Sequence, residues 1–299
     1  MHRIRRRWPT LVALVVAAVL AAPTLKVTDP RAAGGFAAAR VRELTPGKLR
    51  DLFEGDQLVL LGQYVGDEPL TFTLGGNYFG QPRTFTFNFN LDKATTRNAF
   101  VPRLWASRQI ATLTDAVRDL GADNATAASN PKVKELVDEI VRLSKEFGIL
   151  TEYTAFLARE GSDLSQPVAL ASEALRNFDQ RVLQTRSGYA AVNQEFNNSA
   201  QRDQSCVNPR NGFWDANMNR VAISAVQQVN DRAFYRRGNR WVDSALVEQA
   251  AAAPGRTVEF GSDEFRRLAT RLAEQNRQGC IALAGEVLLQ VDGETVLVK

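Results

Sequence analysis

Apolar and polar residues alternate with a period of two over residues 69–74 and 84–89. Leu70, Phe72 and Leu74 share one side, and so do Phe85, Phe87 and Phe89. A denser apolar stretch, residues 57–65 (QLVLLGQYV), precedes them, and Gly75, Gly76, Gly80 and Pro82 punctuate the gap. Period-two spacing with glycine breaks predicts antiparallel strands with one buried face, and the phenylalanine row reads as core packing. Beyond residue 100 the period lengthens. Pro102 stands near the start of a helix whose apolar stripe is Leu104, Trp105, Ile110, Leu113, Val117 and Leu120. Pro131 opens a second, with Val133, Leu136, Val137, Ile140, Val141 and Leu143 inward and Gly148 as its stop.

Residues 153–157 (YTAFL) have the composition of a short strand. Residues 165–202 predict one long, largely exposed helix weakened at Gly188, with apolar positions that include Tyr189, Val192 and Phe196. Residues 203–217 form a loop, and 220–229 a weakly alternating strand. A hairpin turns at residues 236–239, a helix follows Ser262 as its N-cap, and a last hairpin turns at Asp292-Gly293. The expected architecture is α+β. An antiparallel β-sandwich-like unit with two packed helices (47–160) leads through a long linking helix and loop (161–219) to a small C-terminal α+β unit (220–299).

The N-terminus is different in kind. Residues 1–22 hold Arg3, Arg5, Arg6 and Arg7, then the apolar run 11–22, ending in small residues around positions 21–23. This is the layout of a signal peptide or an N-terminal anchor, and it implies export to the periplasm, the cell envelope or the medium. Residues 23–46, rich in Pro, Gly and Ala, read as a linker. The leader also explains the charge. The chain carries 37 Lys and Arg against 33 Asp and Glu, but four of those arginines lie in a leader without acids, so the remainder is balanced. Basicity is therefore no argument for a nucleic-acid partner.

Candidate chemistry is sparse. The one histidine is His2, so Ser-His-Asp and Cys-His centres lack an imidazole held by a scaffold. No metal site, cofactor or catalytic residue is expected, and no phosphate-binding glycine motif occurs. Glu135, Asp138 and Glu139 stand beside Lys132, Lys134 and Lys145 in the pattern of a solvated helix face. In an oxidising compartment Cys206 and Cys280 are expected to pair as a disulfide, two buried free thiols being the alternative. Phe213 and Trp214, in a loop near Cys206, are the candidate exposed recognition spot.

Residues 49–64 (LRDLFEGDQLVLLGQY), 100–110 (FVPRLWASRQI), 134–156 (KELVDEIVRLSKEFGILTEYTAF), 233–242 (AFYRRGNRWV) and 260–265 (FGSDEF) resemble the C-terminal part of certain bacterial proteins. Those proteins carry a vault-protein/inter-alpha-trypsin domain followed by a von Willebrand factor type A domain. The resemblance implies an exported, non-enzymatic interaction or assembly module of the cell envelope, with a protein partner that could supply the type A domain. Both named domains would precede residue 43. The type A metal motif Asp-x-Ser-x-Ser has only an incomplete counterpart at Asp163-Leu164-Ser165-Gln166-Pro167. The competing readings are an exported hydrolase acting on glycans through carboxylates alone, and a non-functional fragment of a larger adhesion-type protein.

Overall fold

The computed structural model describes residues 10–15, 20–28, 40–66, 68–91, 98–121, 129–204, 211–249 and 254–299. It has the expected mixed α+β content, with helices beside several antiparallel sheets. The chain divides into two compact units, residues 1–105 and 106–299. The helical pair expected within a 47–160 unit is thus divided from the β-rich block, for the boundary falls inside α1 (Val101–Leu120).

The first unit is built from two three-stranded antiparallel sheets. One orders β1 (Thr10–Val15), β4 (Gln57–Tyr64) and β3 (Val41–Thr45). The other orders β2 (Ala21–Thr28), β5 (Leu70–Tyr78) and β6 (Gln81–Phe89). Both contribute to a single apolar core. Leu58, Leu60 and Tyr64 come from β4 and Leu70, Phe72 and Leu74 from β5, with Phe85, Phe87 and Phe89 half-buried against them. The pleat puts every second residue inside, so the phenylalanine row is core packing as expected. Trp105 is buried too, and its Nε1 donates to the Glu43 carbonyl at 3.2 Å.

Two N-terminal expectations differ from what is found. Part of the apolar run 11–22 lies in β1, paired along β4 from Thr10↔Gly62 to Val15↔Gln57, and β2 begins at Ala21. The expected linker 23–46 contains the rest of β2 and all of β3. Pro23, Leu25 and Val27 are half-buried between exposed neighbours, a short alternation hidden among Pro, Gly and Ala.

The second unit pairs helices with a mixed six-stranded sheet. Its strand order is β12 (Arg256–Val258), β14 (Glu294–Val298), β13 (Glu286–Val291), β11 (Arg240–Asp243), β10 (Arg232–Arg237) and β9 (Val226–Val229). Pairing is antiparallel except for β11 with β13 and β12 with β14. Leu268 and Leu272 of α5 (Asp263–Glu274) close its core over Phe234, Trp241, Val287 and Val296. Ser262 caps α5 by accepting from the Phe265 N–H at 3.0 Å. The single strand expected over 220–229 is two, β8 (Arg220–Ile223) and β9, broken at Ser224-Ala225.

Helix α2 (Pro131–Phe147) matches its expected bounds. Asn130 caps it, and Gly148 ends it with φ 60°. A Cβ on Gly148 would stand 2.5 Å from the Ala233 Cβ, so glycine lets the helix end meet the sheet closely. Tyr235 Oη secures that junction, donating to the Ser144 and Lys145 carbonyls at 3.2 and 2.9 Å.

Two local expectations are corrected. Residues 153–157 do not form a strand; a turn leads into a 3-10 helix over Ala155–Ala158. The Thr151 N–H donates to Thr154 Oγ1 at 3.0 Å and the Tyr153 N–H to Thr151 Oγ1 at 3.2 Å, so threonine hydroxyls take the bonds a strand ladder would need. The long helix 165–202 is broken into α3 (Pro167–Phe178), a π-helical turn Asp179–Leu183, and α4 (Tyr189–Arg202). Gly188 stands at the break with φ 75° and ψ −168°, a conformation essentially reserved for glycine.

Candidate functional site

The residues of α4 face the opposite way from those of an ordinary surface helix. Its buried positions are amides, Asn193 and Gln194 at 1% exposure and Asn198 at 3%. Its large exposed hydrophobic side chains are Tyr189 at 67%, Val192 at 68% and Phe196 at 55%, with Arg202 the exposed charge at its end. Ala200, also exposed, continues the stripe at helical spacing.

Burying amides demands partners, and each of these side chains finds at least one, although Asn193 Oδ1 is buried without a hydrogen bond among the described residues. The Asn197 side chain joins the edge of β7 (Asn211–Trp214) as another strand would. Its Oδ1 accepts from the Trp214 N–H at 2.9 Å, and its Nδ2 donates to the Trp214 carbonyl at 2.8 Å. Asn193 Nδ2 donates to the Trp214 and Asp215 carbonyls. Gln194 accepts from Tyr153 Oη at 3.0 Å and donates to the carbonyls of Thr185 and Ala190 at 3.3 and 3.2 Å. Asn198 Nδ2 donates to Asp115 Oδ1 of α1 at 2.6 Å.

Charges complete the frame. Glu195 pairs with Arg118 at 2.6 Å, and Arg202 pairs with Asp115 at 2.8 Å and Glu195 at 3.1 Å. Burial works to raise the Glu195 carboxyl, but hydrogen bonds from Ser199, Arg118 and Arg202 outweigh it and leave it below its ordinary value. The buried Glu152 forms an ion pair with Arg181 and accepts from Asn197 Nδ2 at 3.0 Å. Burial raises the carboxyls of Glu152 and Asp115 despite these partners. Both acids are engaged by structural partners, Glu152 by Asn197 and Arg181 and Asp115 by Asn198 and Arg202.

Outside this frame lies the apolar surface. The Trp214 ring meets Phe196 edge-on at 6.4 Å between centroids, and the Arg220 guanidinium lies 5.8 Å over the same indole. Trp214 and Arg220 are register partners in the two-stranded sheet of β7 and β8. Phe213 and Trp214, expected as an exposed spot in a loop, are instead half-buried in strand β7, where alternation sets them on opposite faces, so only Trp214 joins the stripe. Tyr189, Val192 and Phe196 were not singled out for function, although one signal was present. An exposed helix face is normally charged, whereas NQEFNN interleaves poor helix formers that need partners.

Among the other sites, Cys206 lies outside the described residues. Cys280 is a buried free thiol packed in the C-terminal sheet core, and burial pushes its pKa up to about 12. Asp163 accepts from the Ser165 N–H and Oγ at 2.9 and 2.6 Å, forming a turn ahead of α3. No cluster of three or more metal-ligating side chains occurs among the described residues. No described helix is long and apolar enough to cross a membrane. Glu139 and Glu146 pair with Arg142, and Asp138 with Lys134, as expected of a solvated face.

In comparisons with known proteins the chain matches no family model, no curated protein and no solved structure. The likeness to von Willebrand factor type A proteins therefore rests on the quoted phrases alone.

Proposed function

We propose that the chain is an exported, non-enzymatic interaction or assembly module that engages a protein through the outward face of α4 and Trp214. The observation that carries this reading is the inversion of α4, whose two turns of exposed Tyr189, Val192 and Phe196 are held outward by an inward face of hydrogen-bonded amide side chains. Contiguous apolar side chains on a surface are unfavourable unless something covers them, and aromatic residues beside an arginine are the usual anchors of protein interfaces. The arginine-rich leader with its apolar run favours export. The phrases that resemble type A proteins favour an adhesion setting, with a protein partner that supplies a type A domain.

Photo-crosslinking in the exporting cell tests the reading. A benzophenone side chain placed at Val192 gives a protein adduct, and one placed at exposed Arg176 on α3 does not. Equal adducts at both positions, or none at Val192, would reject the α4 face as the binding surface. Mass spectrometry of the exported chain tests the leader. Cleavage near residues 21–23 would remove β1 and free one edge of β4.

A further inference from the structure

We propose a binding site for a small tetrahedral oxyanion, of the phosphate or sulfate class, in a cavity lined by Arg118 and Arg186. It does not rest on the outward face of α4. The cavity holds about 140 Å³ and lies between the last turn of α1, the π-helical turn and the first turn of α4. That is several times the ~30 Å³ one water takes in the liquid, so there is room for a compact anion of roughly five heavy atoms.

The ionised lining is of one sign, two arginines and no described acid. Guanidiniums that share one small cavity repel each other unless an anion joins them. Arg118 meets Glu195 at 2.6 Å and Asp115 at 3.7 Å, both through Nη1, so no described residue occupies its Nε or Nη2. Asp115 and Glu195 are matched by Arg118 and Arg202, which leaves that network no acid for Arg186. Arg186 is exposed and has no ion pair or hydrogen bond among the described residues. The neutral walls are already engaged. Gln194 Nε2 donates to the Thr185 and Ala190 carbonyls, its Oε1 accepts from Tyr153 Oη, and Thr185 Oγ1 donates to the Gln180 carbonyl at 3.0 Å. The donors left for a ligand are therefore guanidinium N–H groups, whose planar forks match pairs of oxygens. A tetrahedral oxyanion offers each arginine its own pair, which a carboxylate with two oxygens does not. Bound there, it ties α1 to the segment before Gly188 and so steadies the entry to α4.

Isothermal titration calorimetry of the full chain with sodium phosphate and sodium sulfate, against sodium acetate at matched ionic strength, tests the assignment. The expected result is saturable one-to-one binding of phosphate or sulfate, with acetate at least about tenfold weaker, and a melting temperature that rises with occupancy. Glycerol 3-phosphate separates the sources. Tighter binding than inorganic phosphate identifies a phosphate ester on a larger molecule, weaker binding identifies the free ion, and either upholds the cavity. Arg186→Gln keeps the unmodified circular dichroism and anion-free melting temperature, because the side chain is exposed and unpaired, and weakens binding at least about tenfold. Ala191→Glu sets a carboxylate on the cavity wall; an acid is favourable in the first turn of a helix, so the fold is kept while binding is lost. Arg176→Gln removes a positive charge from exposed α3 surface outside the lining and leaves binding unchanged. Absence of saturable phosphate and sulfate binding overturns the site, and acetate binding as tightly as phosphate overturns the tetrahedral class. Binding that survives both Arg186→Gln and Ala191→Glu, or that falls equally in Arg176→Gln, overturns the cavity as its location.

Discussion

Helices α2 and α4 belong to the same unit and bury opposite kinds of side chain. Helix α2 turns Val133, Val137, Ile140, Val141, Leu143 and Phe147 inward and leaves Lys132, Lys134, Glu135 and Arg142 exposed. Helix α4 turns Asn193, Gln194 and Asn198 inward and leaves Tyr189, Val192 and Phe196 outside. The first is held mainly by removing apolar surface from water. The second is held by directional hydrogen bonds that fix its rotation about its own axis. Apolar packing tolerates small rotations of a helix, whereas the two-way pairing of Asn197 with Trp214 does not. The difference suits α2 to be scaffold and α4 to be a presented surface.

Substitutions that exchange the two logics test the contrast. The largest effect is expected in α2, where Ile140→Ala leaves a cavity in a fully buried site and costs about 3 kcal/mol in denaturant unfolding. Next comes Gln194→Leu, which conserves volume but strips partners from Tyr153 Oη and the Thr185 carbonyl, at a cost of about 2 kcal/mol. Gly188→Ala meets no neighbour but forces a Cβ onto a backbone conformation essentially reserved for glycine, a strain of about 1–2 kcal/mol, seen as a lowered melting temperature.

The smallest effect is a slope. Burial raises the folded-state value of the Glu152 carboxyl above its unfolded one. The folded chain thus holds that proton longer, and this contribution to stability is present at acid pH and lost as pH rises from about 4.5 through the raised value. Glu152→Gln removes that decline, which unfolding measured across the pH range reads directly.

The elements with terminal chemistry were legible in the sequence. Pro131 and Gly148 bounded α2, Ser262 opened α5, and Asp292-Gly293 turned the last hairpin. Elements whose outcome depended on competition between local bonds were not. The threonine pair at 151 and 154 diverted a strand-like sequence into a turn, and Pro and Ala obscured β2. At the candidate site Trp214 was singled out, as an aromatic beside Asn and Gly, although it lies half-buried in β7 and not in the expected loop. Its companion Phe196 was not. Spacing establishes that α4 has an apolar face, but the direction of that face was decided by bonds from Trp214, Asp215 and Tyr153, which no local pattern contains.

The most direct test of the inverted helix compares two single substitutions in adjacent residues, each unfolded with denaturant. Asn197→Ala strips the Trp214 backbone and Glu152 of partners and is expected to cost about 2 kcal/mol. Phe196→Ala, on the exposed side, is expected to cost about 1 kcal/mol or less. The reverse order, with phenylalanine costing about 3 kcal/mol or more and asparagine near zero, would place Phe196 in the core and contradict the account.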